Sequence, residues 1–326
     1  MIVMDHAIMA RHAQSMKIVI TGALGHVGSR LVQTMPADFP GTEFLLIDDL
    51  ETQRYCSLFD LPAARFRFEA CDILRATLEP LFEGADAVVH LAATVNPASF
   101  EQRGGKGQAN LEVTERVARA CVATGVPMFF PSTTSVYGSR AEMVDESCRE
   151  LIPQSPYAET KLLSEQSLAR IAGKSGLRYV ICRFGTIFGP SPGMRFHTAV
   201  NKFIWQASFG LPLTVWRTAL DQRRPYLDID DAVTAISFVI SKRIFDGSAY
   251  NVVTTNRLTR EIIEIIRRHV PGLCVELMDN PIMTELSYGV CAKKLEQLGF
   301  EFRGDLEEAI AATFRLLANA GALNRS

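Results

Sequence analysis

The sequence predicts an α/β fold: a doubly wound parallel sheet with a smaller, irregular α/β lobe after it. Two patterns predict it. Short runs rich in Val, Ile and Phe alternate with longer amphipathic segments, as strands and crossover helices do when both faces of a parallel sheet are covered. After about residue 185 that rhythm gives way to Pro and Gly in GPSPG and to longer irregular stretches. The 326 residues are 48% hydrophobic and 21% charged, enough to bury a core in one large domain or in one domain and a lobe.

In chain order, residues 1–15 carry Asp5 and two histidines but no apolar run long enough for a secretory signal, and read as a disordered extension or a start placed too far upstream. The strand candidates are KIVIT (17–21), EFLLID (43–48), RFRFEA (65–70), DAVVHLAA (86–93), PMFFPS (127–132) and RYVICRF (178–184), with SAYNVV (248–253) as a later one. Between them, LGHVGSRLVQTM repeats apolar residues at Leu24, Val27, Leu31 and Met35, and ANLEVTERVARACVATG ends on Gly125 as a helix cap. TREIIEIIRRHV and LEEAIAATFRLLANAG are amphipathic helices of the second lobe.

TGALGHVG places Gly22, Gly25 and Gly28 between the first strand and the first helix. Glycine there permits a tight turn and close approach of a pyrophosphate, while the helix N-terminus offers unpaired N–H groups and positive potential. Asp48 ends the second strand, twenty residues past Gly28. A carboxylate there accepts hydrogen bonds from an adenosine ribose and repels a 2′-phosphate, which favours NAD over NADP; the bland alternative is a polar strand end. Asp72, after the third strand, suits an adenine amino group or the N-cap of the segment that follows. His26 in the turn and His90 at a strand end read as satisfied structural histidines rather than general bases.

PYAETK sets Tyr157 and Lys161 four residues apart, on one face of a helix. A phenol with an ordinary pKa of about 10 is a poor base near neutral pH, and a lysine ammonium one turn away lowers that value. Such pairs also occur on many solvated helices.

The surrounding motifs change the weight of the pair. TGALGHVG, DDL, CDI, HLAA, Asn110 in ANLEVTE, PSTTSVYG, PYAETK, CRFGTIFGP and RRPYLDIDDAV follow one another from about Met16 to Ile240. In these motifs, and in the G-x-x-G-x-x-G spacing, the chain resembles the extended short-chain dehydrogenases/reductases, the NAD-dependent nucleotide-sugar epimerases and dehydratases typified by UDP-glucose 4-epimerase. The resemblance implies a Rossmann-type NAD domain over residues 16–185 and a substrate lobe over 186–326 whose chain returns to the first domain near 225–255. It implies NAD contacts at Gly22, Gly25, His26, Val27 and Gly28, at Asp48, Asp49 and Leu50, at Asp72 and Ile73, and at Leu91, Ala92 and Ala93. Asn110, Pro131 and Phe184 join that set with Tyr157 and Lys161, the latter on the nicotinamide ribose.

By the same resemblance Tyr157, Lys161 and Thr133 are catalytic, with Thr133 holding the reacting hydroxyl. Thr94, Thr133, Thr186, Arg195, Asn201 and Arg224 are implied at the substrate, Arg224 on the nucleotide diphosphate. Arg195 and Asn201 also fit a surface charge and a helix cap. Two departures stand out. Thr134 and Ser135 replace the acid that dehydratases and glucuronate decarboxylases of this branch carry after the catalytic Thr/Ser, and Thr186 replaces an asparagine of the galactose epimerase. The expectation is a 4-epimerase of an NDP-hexose or hexuronate, most simply a UDP-sugar. An NAD(P)H-dependent 4-keto-sugar reductase is the alternative. A silent NAD-binding protein is a third reading, which the intact triad opposes.

The remaining features narrow the setting. A net charge of −2 without a basic run argues against nucleic acid. Seven scattered cysteines without C-x-x-C suggest neither disulfides nor a metal site and fit a reducing cytoplasm. No run approaches the roughly 20 apolar residues of a membrane span. The helices at 109–125 and 157–171 match the dimer-forming pair of relatives, so a homodimer is expected, although their apolar faces would serve an internal core equally well.

Overall fold

The computed structural model describes residues 16–93, 106–279 and 287–320. The leader 1–15 and Thr94 lie outside the described residues. The elements run β1 (Lys17–Thr21), α1 (His26–Asp38), β2 (Glu43–Asp48), β3 (Arg65–Ala70), α2 (Glu79–Phe82), β4 (Ala87–His90), α3 (Lys106–Thr124), β5 (Met128–Thr133), β6 (Met143–Val144), α4 (Pro156–Ser175), β7 (Tyr179–Phe184) and β8 (Thr186–Phe188). They continue α5 (Ala199–Ser208), β9 (Leu213–Trp216), β10 (Arg223–Asp228), α6 (Ile229–Ser241), β11 (Ala249–Val252), β12 (Thr255–Leu258), α7 (Thr259–His269), β13 (Val275–Met278), β14 (Gly289–Val290), α8 (Lys293–Glu296) and α9 (Leu306–Leu317).

The main sheet is parallel, in the order β11-β7-β5-β4-β1-β2-β3. Its winding reverses between β1 and β4, and the carboxyl ends there form the crevice in which open α/β sheets bind ligands. Period-two alternation sorts the strands' side chains. Ile18, Ile20, Phe44 and Leu46 face α1 and α6, which contribute Leu31, Met35, Val233 and Ile236 to one core layer. Val19, Leu45, Val88 and Phe130 face α3 and α4, which contribute Val117, Cys121 and Leu168 to the other. At the β3 edge, Arg65 and Arg67 point outward as charged guards against strand addition.

The segment expected as a later strand, SAYNVV, completes this sheet as edge strand β11 beside β7, giving seven strands where the βα alternation alone supplies six. Strand β4 is shorter than DAVVHLAA because the chain leaves the ladder after His90 to approach the glycine turn. Helix α1 starts at His26, after the turn, and runs through Pro36 to Asp38. The second lobe packs β10 between β8 and β12 and joins α5, α7 and α9 around Phe188, Phe203, Ile262 and Ile310. No helix among the described residues is long and apolar enough to cross a membrane.

Helix α4 carries the Tyr/Lys pair and is fixed at both ends. Ser155 caps it by accepting from Ala158 N at 3.2 Å, Pro156 occupies the first turn, and Gly176 closes it in the left-handed conformation. Glu165, one turn past Lys161, accepts Arg183 Nε at 3.1 Å and Nη2 at 2.7 Å, both side chains being 7% exposed. Arg183 Nη1 donates to Tyr137 Oη at 2.9 Å, which donates to Asn251 Oδ1 at 2.9 Å. The helix is thereby bolted to β7 and β11. Glu165→Ala, which strands a buried guanidinium, is expected to lower stability by about 3–5 kcal/mol in urea unfolding, whereas the double variant Glu165→Leu/Arg183→Met loses far less.

Candidate active site

The site begins where β1 gives way to α1. Gly22 takes φ +69°, donates to Ile47 O at 2.8 Å, and leaves no room for a side chain, since a Cβ would stand 2.5 Å from Ala92 N. A Cβ at Gly28 would stand 2.5 Å from Gly22 O. The turn is thus closed on itself and against the chain after β4, with the N-terminus of α1 facing the crevice. Asp48 holds the turn from β2: Oδ2 accepts from Leu24 N at 3.1 Å and Oδ1 from Leu50 N at 3.0 Å. Burial pushes this carboxyl above its ordinary value, against the pull of those two amides.

The other acids after the strands are spent on local turns. Asp49 is exposed and accepts from Glu51 N at 2.9 Å. Asp72 accepts from Leu74 N at 2.8 Å and faces Arg75, taking up the turn-capping role that the sequence left open. Ile73 is buried and offers its carbonyl to Arg116 Nε at 3.0 Å. The histidines are structural: His26 Nε2 donates to Gly189 O at 2.9 Å, and His90 lies between Thr21 Oγ1 at 2.8 Å and Thr114 Oγ1 at 3.3 Å. Burial lowers them to about 4 and about 3 respectively. Thr114 in turn donates to Asn110 O at 2.9 Å, so Asn110 belongs to this buried network.

A cleft of about 330 Å³ joins the glycine turn to Thr133, Tyr157 and Lys161, and Leu91, Ala93, Pro131, Phe184, Thr186 and Arg195 share its wall. Thr133 ends β5 with Oγ1 accepting from Ser135 N at 3.2 Å, which leaves its hydroxyl proton free to donate. Lys161 Nζ donates to Pro131 O at 2.8 Å, 4.5 Å from the Phe130 ring centroid and 6.0 Å from that of Tyr157. Burial pushes the Tyr157 phenol up to about 12, with Arg195 opposing, and pushes Lys161 down to about 8, with Glu165 opposing. The expected lowering of the phenol by Lys161 is therefore absent from this arrangement: the ammonium is committed to a carbonyl, and desolvation outweighs its field.

Two of the expected substrate residues stand off the cleft wall. Asn201 is fully buried in α5, where Nδ2 donates to Arg195 O at 3.0 Å and holds that loop, while Oδ1 is buried without a partner among the described residues. Arg224 donates to Gln222 Oε1 at 3.2 Å and lies in the field of Tyr288. Tyr288 is the residue that sequence reasoning missed. Its buried hydroxyl is 3.3 Å from both Thr134 Oγ1 and Ser135 Oγ, bracing the chain just after Thr133. It sits more than 150 positions from Thr133, with no local motif to announce it.

Fold and site define a Rossmann-class dinucleotide-binding protein with a Tyr/Lys pair at the carboxyl edge of its sheet. The chain belongs to the NAD dependent epimerase/dehydratase family, whose profile matches residues 18–252. An uncharacterized UDP-glucose epimerase, YtcB, of Bacillus subtilis strain 168 is 33% identical over 250 residues, covering 73% of this chain and 76% of that one. The trifunctional UDP-glucose 4,6-dehydratase/UDP-4-keto-6-deoxy-D-glucose 3,5-epimerase/UDP-4-keto-L-rhamnose-reductase RHM1 of Arabidopsis thaliana is 27% identical over 315 residues. That match covers 91% of this chain and 46% of the plant protein, so the chain spans about half its length. The structure of UDP-glucuronic acid 4-epimerase from Bacillus cereus, in complex with UDP-glucuronic acid and NAD, superposes with a TM-score of 0.82 at 26% identity, covering 94% of this chain and 100% of that one.

The depressed Lys161 has a consequence for stability. Below about pH 8 the lysine is charged in both states and folding bears the cost of burying it; between about 8 and its unfolded value of 10.5 the native state sheds a proton that the unfolded chain keeps, so stability rises with pH. Lys161→Met is expected to raise stability at pH 7 by about 1–3 kcal/mol and to flatten that rise, read from urea unfolding at pH 7, 9 and 10.5.

Proposed function

We propose that the chain is an NAD-dependent 4-epimerase of a UDP-hexose or UDP-hexuronate. The observation that carries the proposal is the make-up of the cleft: glycine turn, Thr133, Tyr157 and Lys161 share one wall, and no carboxylate lines it among the described residues. Elimination and decarboxylation in this family draw on an additional acid. Thr134 donates to Phe184 O and Ser135 faces Tyr288, so the two positions after Thr133 supply hydroxyls only. One proton and one hydride at one carbon is the chemistry such a wall supports. The UDP-sugars named for the relatives and the acid-free wall favour an anionic nucleotide sugar.

The residues fit the cofactor. The turn has space for a pyrophosphate where a Cβ would intrude, and Ser132 Oγ, Thr198 Oγ1 and Arg195 Nε are buried in the cleft region without partners among the described residues. Gly22, Gly25 and Gly28 would hold the pyrophosphate, Asp48 the adenosine ribose, and Lys161 the nicotinamide ribose. NAD supplies the hydride acceptor and donor when bound.

In this reading Thr133 donates to the C4 hydroxyl oxygen and fixes it beside Tyr157. Tyr157 removes the hydroxyl proton as hydride leaves the same carbon, and returns it after the 4-keto sugar has turned over in the site. A phenol held near 12 by burial needs cations to work near neutral pH, and Lys161 and Arg195 are those the chain places around it. The test is to purify the protein without added cofactor and follow UDP-sugars by NMR. Turnover without added NAD(H), to a product differing only in C4 configuration, is the expected result, and Tyr157→Phe should lower kcat by at least 100-fold, on the order of a lost general base, with little change in nucleotide binding. Stoichiometric consumption of NADH or NADPH would instead identify a reductase.

A further inference from the structure

A loop of the second lobe, residues 189–195, lies directly on the glycine turn. His26 Nε2 donates to Gly189 O at 2.9 Å, Ser191 Oγ donates to His26 O at 2.9 Å, and Gly193 N donates to Ser29 Oγ at 2.9 Å. Gly193 sits so close that a Cβ would collide with Leu24 O and Gly25 O. The loop's far end is held by Asn201 through Arg195 O. These three hydrogen bonds hold the second-lobe loop down over the glycine turn.

The loop delivers Arg195 to the cleft wall. Its guanidinium is influenced at once by the Tyr157 phenol, the Asp48 carboxylate and the guanidinium of Arg54 from the chain after β2. A dinucleotide in this crevice would run from a ribose at Asp48 to a ribose at Tyr157 and Lys161, and Arg195 lines the same cleft as the glycine turn that would hold the pyrophosphate between them. Arg195 Nε and Arg54 Nη1 are both buried without a partner among the described residues. The Asp48 carboxylate acts on both guanidinium groups, yet each keeps a buried N–H donor unpaired, which is costly until a further anion satisfies it. We infer that Arg195 and Arg54 form a second half of the dinucleotide's phosphate site, with residues 189–195 as the strap that retains the cofactor through turnover. The inference rests on the NAD-dependent reading above, and it moves Arg195 from the nucleotide sugar, where the family resemblance put it, to the cofactor.

The test measures NAD on the holoprotein as purified: its dissociation rate, by dilution into an NAD glycohydrolase, and its Kd after removal and titration. The Kd of UDP on NAD-saturated protein serves as the control. Arg195→Gln and Arg54→Gln are each expected to weaken NAD roughly 10- to 100-fold, as loss of a charge-assisted bond does, with Arg195→Lys recovering part. Gly193→Ala should speed NAD release by about tenfold or more through lifting the strap. UDP affinity should not change. If Arg195→Gln and Arg54→Gln leave NAD binding and release within about twofold of wild type, or weaken UDP alone, the inference is wrong while the NAD-dependent reading stands. If wild-type protein binds no NAD, both fall.

Discussion

The molecule depends on a place where backbone meets backbone without side chains between. Gly22 touches the chain after β4, Gly28 touches Gly22, and Gly193 touches Leu24 and Gly25. Three parts of the structure, the first β-turn-α unit, the neighbouring strand end and a loop of the second lobe, meet within van der Waals distance of one turn. A methyl group at any of the three positions would push a carbonyl or amide aside, and backbone cannot yield as a flexible side chain does. The same closeness exposes amide donors to a ligand. The contact that closes the fold is therefore also what makes the crevice a phosphate site.

Burial works on Tyr157 and Lys161 in a way the helix spacing does not convey. Tyr157, Lys161 and Glu165 follow one another at successive turns of α4, and Arg183 closes the row from β7. Glu165 is engaged by Arg183 through both oxygens and still supports the charged form of Lys161, so the row alternates in sign away from the phenol. Lys161 gives its hydrogen bond to Pro131 O, which fixes Nζ beside the sheet edge where a nicotinamide ribose would lie in the proposed complex. The cost of burying the ammonium is the penalty of holding a donor and a positive charge where the proposed reaction would need them.

Strands β1, β2 and β3 were legible to the residue because each is bounded by turn chemistry and matches the period of a pleated strand. Strand β4 was not, since HLAA continues the apolar run while the backbone has already left the ladder; hydrophobicity reports burial, not pairing. The meeting of the glycine turn, Thr133 and the Tyr/Lys pair at one cleft was legible because these residues lie in short ordered motifs. Tyr288 was not, because it braces Thr134 and Ser135 through a tertiary contact that no spacing encodes. Asn201 makes a related point: a motif match says that a residue is near a cleft, and only the structure shows that its amide also ties down the loop at Arg195 O. The phenol was expected to be eased by Lys161, and it is held up instead, because sequence gives the neighbour's charge and not the desolvation of both groups.

His90 ends β4 beside the glycine turn but does not line the cleft, and its hydrogen bonds give it no part in proton transfer. Thr114 donates its hydroxyl proton to Asn110 O, so its oxygen can only accept from His90 Nε2; that fixes the tautomer, and Nδ1 must then accept from Thr21, whose oxygen also receives Ala92 N at 3.4 Å. Every hydrogen in this chain has one direction. Protonating His90 would reverse one of its bonds and place a charge in a site that is 2% exposed, next to a lysine that already repels it. The imidazole is thus locked neutral as an orienting strut between β1, β4 and α3. His90 therefore offers no route for a proton, which is consistent with Tyr157 as the base in the proposed mechanism.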